Sequence, residues 1–329
     1  MKVSVIIPAY NAQKTIAQTL EAITQQDYSE QFEIIVVDDG STDQTASVIR
    51  SFAHVRYVYQ PNAGPAVARN HGAQLAQGDY LVFTDSDCIP HKAWLSRLIQ
   101  GFSQKDVAVV MGGYGIANGE SLLAECIFKE IAFRHNKLLP DFPKVFGSYN
   151  FCVKKVIFEQ VKGFDTTYRN ASGEDNDLSY KITSLGTGGR IYFERKALVD
   201  HHHPTEVKKY LKEQFRHGFW RVQMYMTHPG MVKGDGYTFW KDMIEVPWSL
   251  FCLLGMLISL SNLITFNSLV CFFILPFLLF ELLFAKRMID SLHKEIFWGF
   301  VMFLRSFSRT LGLSTGILMF FIKKKSNKP

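Results

Sequence analysis

The sequence predicts an α/β fold with a largely parallel sheet, followed by a C-terminal membrane-associated helical region. Three observations lead to this prediction. Short apolar runs alternate with amphipathic segments over the first hundred residues, which is typical of strand–helix–strand units. Two of these apolar runs end in pairs of aspartates. A stretch without any Asp, Glu, Lys or Arg, residues 246–280, lies in the last third of the 329-residue chain.

Apolar runs of strand length mark the predicted strands. The predicted strand at residues 33–37 is continuously apolar after Glu33, as expected for a strand whose two faces are both covered by helices. Residues 80–83 form a similar apolar run. An acidic segment follows this run and ends at Pro90. In chain order, strands are predicted over residues 3–7, 33–37, 55–59, 80–83, 107–111 and 190–199.

Amphipathic segments predict the helices between the strands. Ile16, Leu20 and Ile23 recur at helical spacing, and Asn11 is the expected N-cap of their helix. The segment from Ser41 to Gln44 matches a capping box and is predicted to open the second helix. Further helices are predicted over residues 62–76, 94–102 and 124–138, in a segment ending near residue 161, and from residue 174 onward.

Carboxylates follow two of the predicted strands. Asp38 and Asp39 end the second strand, and Asp85 and Asp87 follow the strand at residues 80–83. Because parallel strands end at one sheet edge, where open α/β sheets bind ligands, these side chains should lie together. Side chains alternate between the two sides of an extended chain, so Asp85 and Asp87 point to the same side and bring two carboxylates together. One interpretation is that they bind a divalent cation, which holds a phosphorylated ligand. The alternative is a solvated acidic turn.

A third acidic group and a histidine run could complete such a site. Glu174, Asp175 and Asp177 open a predicted helix, where the helix dipole alone would favour negative charge. Residues 201–203 are three histidines at the end of a predicted strand. They are either a surface run or include a third metal ligand. Neither a Gly-x-Gly-x-x-Gly motif after the first strand nor a P-loop is present, so phosphates need another binding mode.

Two other segments leave alternatives open. Gly112, Gly113 and Gly115 either let the backbone approach a ligand closely or form a flexible turn. Residues 214–221 combine aromatic residues with arginines. They form either an interfacial helix that contacts the membrane or an acceptor phosphate, or an ordinary packing helix with solvated charges.

Taken together, the motifs resemble those of the family 2 inverting glycosyltransferases, which have a GT-A fold. The resemblance covers roughly residues 1–225, and its motifs come in the family's order and spacing. They are VIIPAYN at 5–11, VVDDGSTD at 36–43, Gly64 with ARN at 68–70, FTDSD at 83–87, GFD at 163–165 and GEDNDL at 173–178. The resemblance implies a GT-A catalytic domain over residues 1–225.

The resemblance also implies roles for individual residues. Tyr10 and Asp39 would hold the nucleotide base. Asp87 would bind Mg²⁺ or Mn²⁺ on the diphosphate, supported by His201 or its neighbour His202. Asp175 would be the general base. The expected nucleotide- and substrate-binding residues are Pro8, Tyr10, Asp39, Arg69, Asp85 and Glu174.

The implied chemistry suits these residue types. A divalent ion stabilises the diphosphate that leaves when a sugar is transferred. An acceptor hydroxyl is a poor nucleophile, and a positioned carboxylate can take its proton. A single displacement inverts the anomeric centre and needs no covalent nucleophile.

The chain carries an excess of basic residues, which is typical of proteins that bind either nucleic acid or a cytoplasmic membrane surface. The net charge is +6 and the pI is near 8.9. Basic residues follow the apolar segments, namely Lys286, Arg287, Lys294 and the lysines at 323–325. This position favours a membrane surface as the partner of the positive charge, so no nucleic-acid partner is expected. The five cysteines form no Cys-x-x-Cys pair, so we expect a reducing compartment without a zinc site.

The apolar stretch predicts a transmembrane helical hairpin over residues 246–285, with a turn at 259–262 and 267–268. A buried core hairpin is the alternative. Residues 226–245 would be an interfacial linker. Residues 286–329 would form an amphipathic or re-entrant helix and a basic tail, because Arg305 and Arg309 interrupt the apolar pattern.

The leading functional hypothesis is a membrane-anchored inverting glycosyltransferase of the hexosyl or N-acetylhexosaminyl type, active in polysaccharide biosynthesis. Its donor would be a nucleotide-sugar, expected to be UDP-linked, and its acceptor a glycan or lipid-linked glycan. The catalytic domain would lie on the cytoplasmic side of the cell membrane. The alternatives are a polyprenyl-phosphate sugar transferase, an inactive membrane scaffold with this fold, and a nucleotidyltransferase. The Glu174-Asp175 motif argues against the last.

Overall fold

The computed structural model describes residues 2–168, 172–186, 188–234, 238, 240–259, 268 and 270–326. The chain divides into two compact units. The first comprises Met1–Asn118 and Leu139–His202, and the second comprises Gly119–Leu138 and His203–Pro329.

One mixed sheet forms the centre of the first unit, with eight strands among the described residues. In spatial order the strands run β3-β2-β1-β4-β7-β6-β8-β5. Four neighbouring pairs are parallel, and β7 pairs antiparallel with both β4 and β6. The strands are β1 (Val3–Ala9), β2 (Phe32–Asp38), β3 (Val55–Tyr59), β4 (Tyr80–Thr84), β5 (Cys88–Pro90), β6 (Val107–Ile116), β7 (Asn150–Lys154) and β8 (Arg190–His201).

The predicted α/β class is confirmed, and the sheet is mixed where the sequence predicted a largely parallel one. The strands β2 and β4 flank β1, and both are parallel to it. The expectation that the two aspartate pairs end at one sheet edge is therefore confirmed. Strand β1 is buried along its whole length, as is the end of β2, because helices cover both faces of this part of the sheet.

Helices connect the strands of the first unit and build most of the second. Short 3₁₀ turns lie at Gly101–Ser103 and Pro229–Lys233, and a π-helical turn at Val270–Ile274. The helices are α1 (Ile16–Thr24), α2 (Thr45–Arg50), α3 (Pro65–Leu75), α4 (Trp94–Gln100), α5 (Leu122–Lys137), α6 (Lys155–Gln160), α7 (Glu174–Thr183), α8 (Val207–Thr227), α9 (Trp240–Ser259), α10 (Leu275–Ala285) and α11 (Leu292–Ser326).

Both predicted helix caps near the first two strands are wrong. Helix α1 begins at Ile16, while Asn11 takes a left-handed φ of 51° and its Oδ1 accepts from the Thr42 backbone N–H at 2.8 Å. Helix α2 begins at Thr45, whose N–H donates to Asp43 Oδ1 at 3.0 Å. The polar side chains therefore join the two loops to each other, a pairing of distant segments that local sequence does not encode.

Glycines set the packing of α8 against α11 in the second unit. A Cβ on Gly218 would overlap the Arg309 carbonyl oxygen, and a Cβ on Gly312 would overlap that of Phe215. A Cβ on Gly316 would lie 2.6 Å from the Phe219 carbonyl oxygen. Gly312 and Gly316 thus form a small-x-x-x-small surface on which α8 lies in direct backbone contact. Residues 214–221 belong to α8, and part of their role is packing.

A buried cluster of charges joins the helices of the second unit. Arg305 Nη1 lies 2.8 Å from Glu130 Oε2, and Arg134 binds both Glu130 and Asp242. Lys241 pairs with Glu281 at 2.6 Å. Because the charges are paired, their burial is tolerated. The members of the cluster are Arg134, Lys241, Arg305 and Arg309, with Glu130, Asp242, Glu245 and Glu281.

This cluster accounts for the two arginines that interrupt the apolar pattern near the C-terminus. Helix α11 runs without a break from Leu292 to Ser326. Arg305 is 2 % exposed, and Arg309 Nε donates to the buried Gln214 Oε1 at 2.8 Å. Both arginines have protein partners, so they do not by themselves require an interfacial position for this helix.

Helix α9 is long and apolar enough to cross a membrane, and it is the one helix of which this holds among the described residues. A shorter apolar helical stretch covers residues 270–285. Helix α9 begins at Trp240, six residues before the predicted start of the hairpin. Most of the predicted turn, residues 260–262 and 267, lies outside the described residues.

Candidate active site

Arg69 connects two of the three acidic groups predicted from the sequence. Its side chain is 2 % exposed, and Nη2 lies 2.7 Å from Asp85 Oδ1. Nη1 lies 3.1 Å from Glu174 Oε1. Helix α3, the end of β4 and the start of α7 therefore meet at one guanidinium. Glu174 is also buried, and its second oxygen accepts from the Ser172 N–H at 2.7 Å.

Asp87 and His201 form a second contact at the same edge. His201 Nε2 lies 3.6 Å from Asp87 Oδ1, where β8 pairs with β5. Their ligand atoms and the Cys88 sulfur all lie within 4.8 Å of one another. His202 instead faces Gln18, with Nε2 3.3 Å from Oε1. Of the two histidines considered from the sequence, His201 is the one placed beside Asp87.

Asp175 occupies the first turn of α7, half-buried beside Glu174. Its Oδ1 accepts from the Asn176 N–H at 2.8 Å. Burial raises the pKa of Asp175, opposed by that N–H and by the nearby Arg69. Burial and the charge of Asp175 raise the pKa of Glu174 to about 7, against the opposing effect of Arg69. The two adjacent carboxylates of Glu174 and Asp175 thus both lie near the positive charge of Arg69, and Asp175 is the less buried of the two.

Asp39 is almost completely buried and ordered by its neighbours. Its Oδ1 accepts from Gln60 Nε2 at 2.7 Å and from the Ala63 N–H at 2.9 Å. Its Oδ2 accepts from the Gly64 N–H at 2.9 Å. The carboxylate therefore shapes the loop that opens α3, and a contact with a nucleotide base would use the less occupied Oδ2.

The remaining predicted nucleotide contacts differ in exposure. Tyr10 is 52 % exposed and directly follows β1, between the strands that end in aspartates. Pro8 is buried within β1. Asn11 ties the Tyr10 loop to the loop after Asp39 through Thr42. The structure thus places Tyr10 and Asp39 on one edge, without a direct contact between their side chains among those described.

The glycines after residue 111 continue β6, so the flexible-turn alternative is wrong. A Cβ on Gly112 would overlap the Asn150 amide and the Ala197 carbonyl oxygen. A Cβ on Gly115 would overlap the Asp200 carboxylate. Close approach is the reason for these glycines, and the approaching groups here belong to the protein.

Asn150 is a site-shaping residue that the sequence analysis missed. It is 1 % exposed, and its Nδ2 donates to the carbonyl oxygens of Gly113 at 2.9 Å and Ala197 at 2.8 Å. Its Oδ1 accepts from Trp94 Nε1 at 2.7 Å. The amide fixes β6 and β8 where both approach the edge. The available signal in the sequence was an asparagine directly before the apolar residues 151–153.

Comparison with known proteins identifies the family. The family model described as Glycosyl transferase family 2 matches residues 4–153, which include the strands that end in aspartates. Glycosyltransferase AglE of Haloferax volcanii is 30 % identical over 234 residues, covering 68 % of this chain and 74 % of AglE. The chain belongs to glycosyl transferase family 2. The family predicted from the motifs is confirmed.

Two other relatives share a smaller part of their own length with this chain. Validoxylamine A glucosyltransferase of Streptomyces hygroscopicus subsp. limoneus is 31 % identical over 217 residues, 56 % of this chain and 48 % of that enzyme. Pre-mycofactocin glycosyltransferase of Mycobacterium tuberculosis is 27 % identical over 237 residues, 69 % of this chain and 48 % of the relative. The chain thus spans about half the length of these two relatives.

A solved structure shows the same fold at low sequence identity. The mannosyltransferase PcManGT from Pyrobaculum calidifontis, in complex with GDP-Man and Mn²⁺, matches with a TM-score of 0.61 at 19 % identity. The match covers 93 % of this chain and 86 % of PcManGT. The GT-A architecture predicted for this family 2 chain is thereby confirmed.

Proposed function

We propose that this family 2 chain is a membrane-anchored inverting glycosyltransferase. It would transfer a sugar from a nucleotide-diphosphate donor to a hydroxyl of a glycan or lipid-linked glycan. The observation that supports this most is the pair of contacts at one sheet edge. Arg69 joins Asp85 to Glu174 beside Asp175, and Asp87 faces His201.

Asp87 and His201 fit a divalent cation. Adjacent ligands of an octahedral ion lie roughly 3 Å apart at metal distances of about 2.1 Å, so the observed 3.6 Å needs little adjustment. The buried Cys88 sulfur is a soft ligand, which suits the hard ions Mg²⁺ and Mn²⁺ less well than carboxylate oxygens do. The imidazole makes the pair better suited to Mn²⁺ than to Mg²⁺. When bound, such an ion would neutralise charge on the leaving diphosphate.

Asp175 is the proposed general base. A base must be reachable by the acceptor and ionised at the working pH. Asp175 is less buried than Glu174, and the Asn176 N–H and Arg69 stabilise its ionised form. Glu174 is engaged by Arg69 and Ser172 and would position the first turn of α7.

The donor would lie over the edge formed by β1, β2 and β4. The exposed ring of Tyr10 and the Oδ2 of Asp39 would contact the base, with a main-chain contact from the buried Pro8. Asp85 would contact the ribose side, oriented by Arg69. A UDP-linked donor remains our proposal, and GDP-linked sugars are included in its test because PcManGT is described with GDP-Man.

Membrane attachment would use α9 and the apolar stretch at residues 270–285. Twenty helical residues span about 30 Å, the thickness of the hydrocarbon core. Phe251, Leu257 and Phe272 are more than 60 % exposed in the structure, and lipid would cover such side chains. Lys286 and Arg287 follow α10, which favours a cytoplasmic position for that end.

A donor and metal screen tests the proposal. Full-length protein purified in detergent is incubated with UDP- and GDP-sugars, with Mn²⁺, Mg²⁺ or EDTA, and nucleoside diphosphate release is measured. We expect release from one donor, loss of release with EDTA and recovery with Mn²⁺. Full activity in EDTA would contradict the metal site. Failure to bind any nucleotide-sugar with either metal would contradict the enzyme and favour a scaffold.

A further inference from the structure

Three rings lie in contact beside the proposed metal site. Tyr114 and Tyr149 are stacked, with ring centroids 3.8 Å apart and planes inclined by 25°. Tyr114 also meets His201 edge to face, with centroids 5.5 Å apart and planes inclined by 87°. His201 in turn faces Asp87. A continuous series of contacts therefore leads from Tyr149 to the carboxylate.

The backbone fixes this series at both ends. Strands β6 and β8 run parallel, with Tyr114 opposite Val199 and Ile116 opposite His201. Because side chains alternate along a strand, Tyr114 and His201 lie on the same face of the sheet and diagonal to each other. The register of the two strands therefore places the phenol ring against the imidazole.

The loop before β7 is shaped to admit the second ring. A Cβ on Gly147 would overlap the ring of Tyr149, so the glycine leaves the space that the ring occupies. Asn150 follows Tyr149 directly and is locked by bonds to Trp94, Gly113 and Ala197. Tyr149 is thus fixed by the start of β7 on one side, and Gly147 leaves room for its ring on the other.

We propose that Tyr114, supported by its stack on Tyr149, is a positioning residue that sets the orientation of the His201 imidazole for the metal. The inference rests on the proposed function of His201 as a metal ligand. The torsion that rotates an imidazole has broad minima, so a free ring would lose part of its affinity for a cation. Groups that orient a ligand from outside the coordination shell contribute to metal affinity. Tyr114 contacts His201 through its ring and not through its hydroxyl group, so a phenylalanine at this position should serve equally well.

Metal affinity separates this role from simple packing. Binding of Mn²⁺ in the presence of UDP or GDP is measured by electron paramagnetic resonance on detergent-purified, full-length protein. We expect Tyr114→Phe to match the wild type and Tyr114→Leu to weaken Mn²⁺ binding about two- to tenfold, as for loss of one aromatic pair. In turnover, the half-saturating Mn²⁺ concentration should rise while kcat at saturating Mn²⁺ changes little.

One further variant controls for the general loss of an aromatic contact, and a second tests the stack without removing a ring. Tyr192→Leu removes another ring of β8, which contacts Phe142 with centroids 5.6 Å apart, and should leave Mn²⁺ binding unchanged. Gly147→Ala keeps every ring but displaces Tyr149, and should weaken Mn²⁺ binding as Tyr114→Leu does. Thermal unfolding of each variant shows which of them are folded.

The outcomes distinguish this inference from the proposed function. If His201→Ala weakens Mn²⁺ binding while folded Tyr114→Leu and Gly147→Ala bind like the wild type, the positioning role is overturned and the metal site stands. If Tyr114→Phe weakens binding as much as Tyr114→Leu, the hydroxyl acts instead of the ring, which also overturns it. If the wild type binds no Mn²⁺, or His201→Ala binds like the wild type, the proposed metal site fails and the inference fails with it.

Discussion

Arg69 lies almost completely buried between two carboxylates that come from distant parts of the chain. Asp85 lies at the end of β4 and Glu174 at the start of α7, and each is within 3.1 Å of a guanidinium nitrogen. Removing one partner of a buried ion pair leaves an uncompensated charge, which is strongly destabilising. The arginine that was expected to contact the nucleotide therefore has a structural role as well, because it holds the acidic edge together.

Glu174 should make stability depend on pH near neutrality. Its pKa is raised from 4.5 to about 7, so the folded state keeps a proton that the unfolded state loses as pH rises. The free energy of unfolding should therefore fall between about pH 4.5 and pH 7, by at most on the order of 3 kcal/mol. Thermal unfolding across this range measures it.

The variant Glu174→Gln is the control for that pH dependence. Glutamine keeps the size of the side chain and cannot ionise, so the decline assigned to Glu174 should disappear. The difference in melting temperature between variant and wild type should change across the window. Parallel curves for the two proteins from pH 4.5 to pH 7 would contradict the raised pKa.

At the scale of the element, the close contact between α8 and α11 is the most easily tested feature. We expect Gly312→Ala to lower the free energy of unfolding by about 1–3 kcal/mol, because the new methyl would push the backbones apart. Gly230→Ala is the matched control, since nothing lies within 4 Å of its added Cβ. Equal melting temperatures for the two variants would show that the helices do not pack this closely.

The strands and helices were predictable where their signal is local. Residues 33–37 were predicted as a strand because the four residues after Glu33 are all apolar. Ile16, Leu20 and Ile23 were predicted to lie on a helix because of their spacing. All of these positions except Glu33 and Ile34 are fully buried in the structure. The insertion of β7 between β4 and β6 was not predictable, because strand pairing joins residues far apart in sequence.

The same distinction applies to the site. The acidic residues could be found because they follow strands or open a helix within short motifs. The stack of Tyr114 on Tyr149 and the bonds of Asn150 depend on how β6, β7 and β8 meet. The expected caps at Asn11 and Ser41 failed for this reason as well, since both residues bond across two loops instead.

At the scale of the whole molecule, the second unit combines apolar helices with a buried, balanced charge cluster. Four cations and four carboxylates of this unit pair with one another among the described residues. Glu130 shows the effect of the pairing, because burial alone would raise its pKa, whereas Arg305 and Arg134 lower it to about 2. Charges paired in this way can lie inside a helical unit that also contains the apolar helices α9 and α10.

We expect the full-length chain to behave as an integral membrane protein. After cell lysis it should stay with the membrane fraction through an alkaline carbonate wash and leave it only with detergent. The reason is that α9 is long and apolar enough to span a membrane and that α9 and the stretch at residues 270–285 carry large exposed apolar side chains, which lipid would cover. Release by carbonate alone would indicate surface attachment and would contradict the spanning helix.

The most direct measurement separates donor binding from transfer in matched variants. For the donor found in the screen, the dissociation constant with Mn²⁺ and the turnover number are measured for Asp87→Ala, Asp175→Asn and Asp79→Asn. Asp79 is an exposed aspartate just before β4 and serves as the control. We predict that Asp87→Ala loses metal-dependent donor binding, that Asp175→Asn binds the donor but transfers at least a hundredfold more slowly, and that Asp79→Asn resembles the wild type. Transfer at the wild-type rate by Asp175→Asn, or metal-dependent binding by Asp87→Ala, would contradict the proposed division between a metal carboxylate and a base.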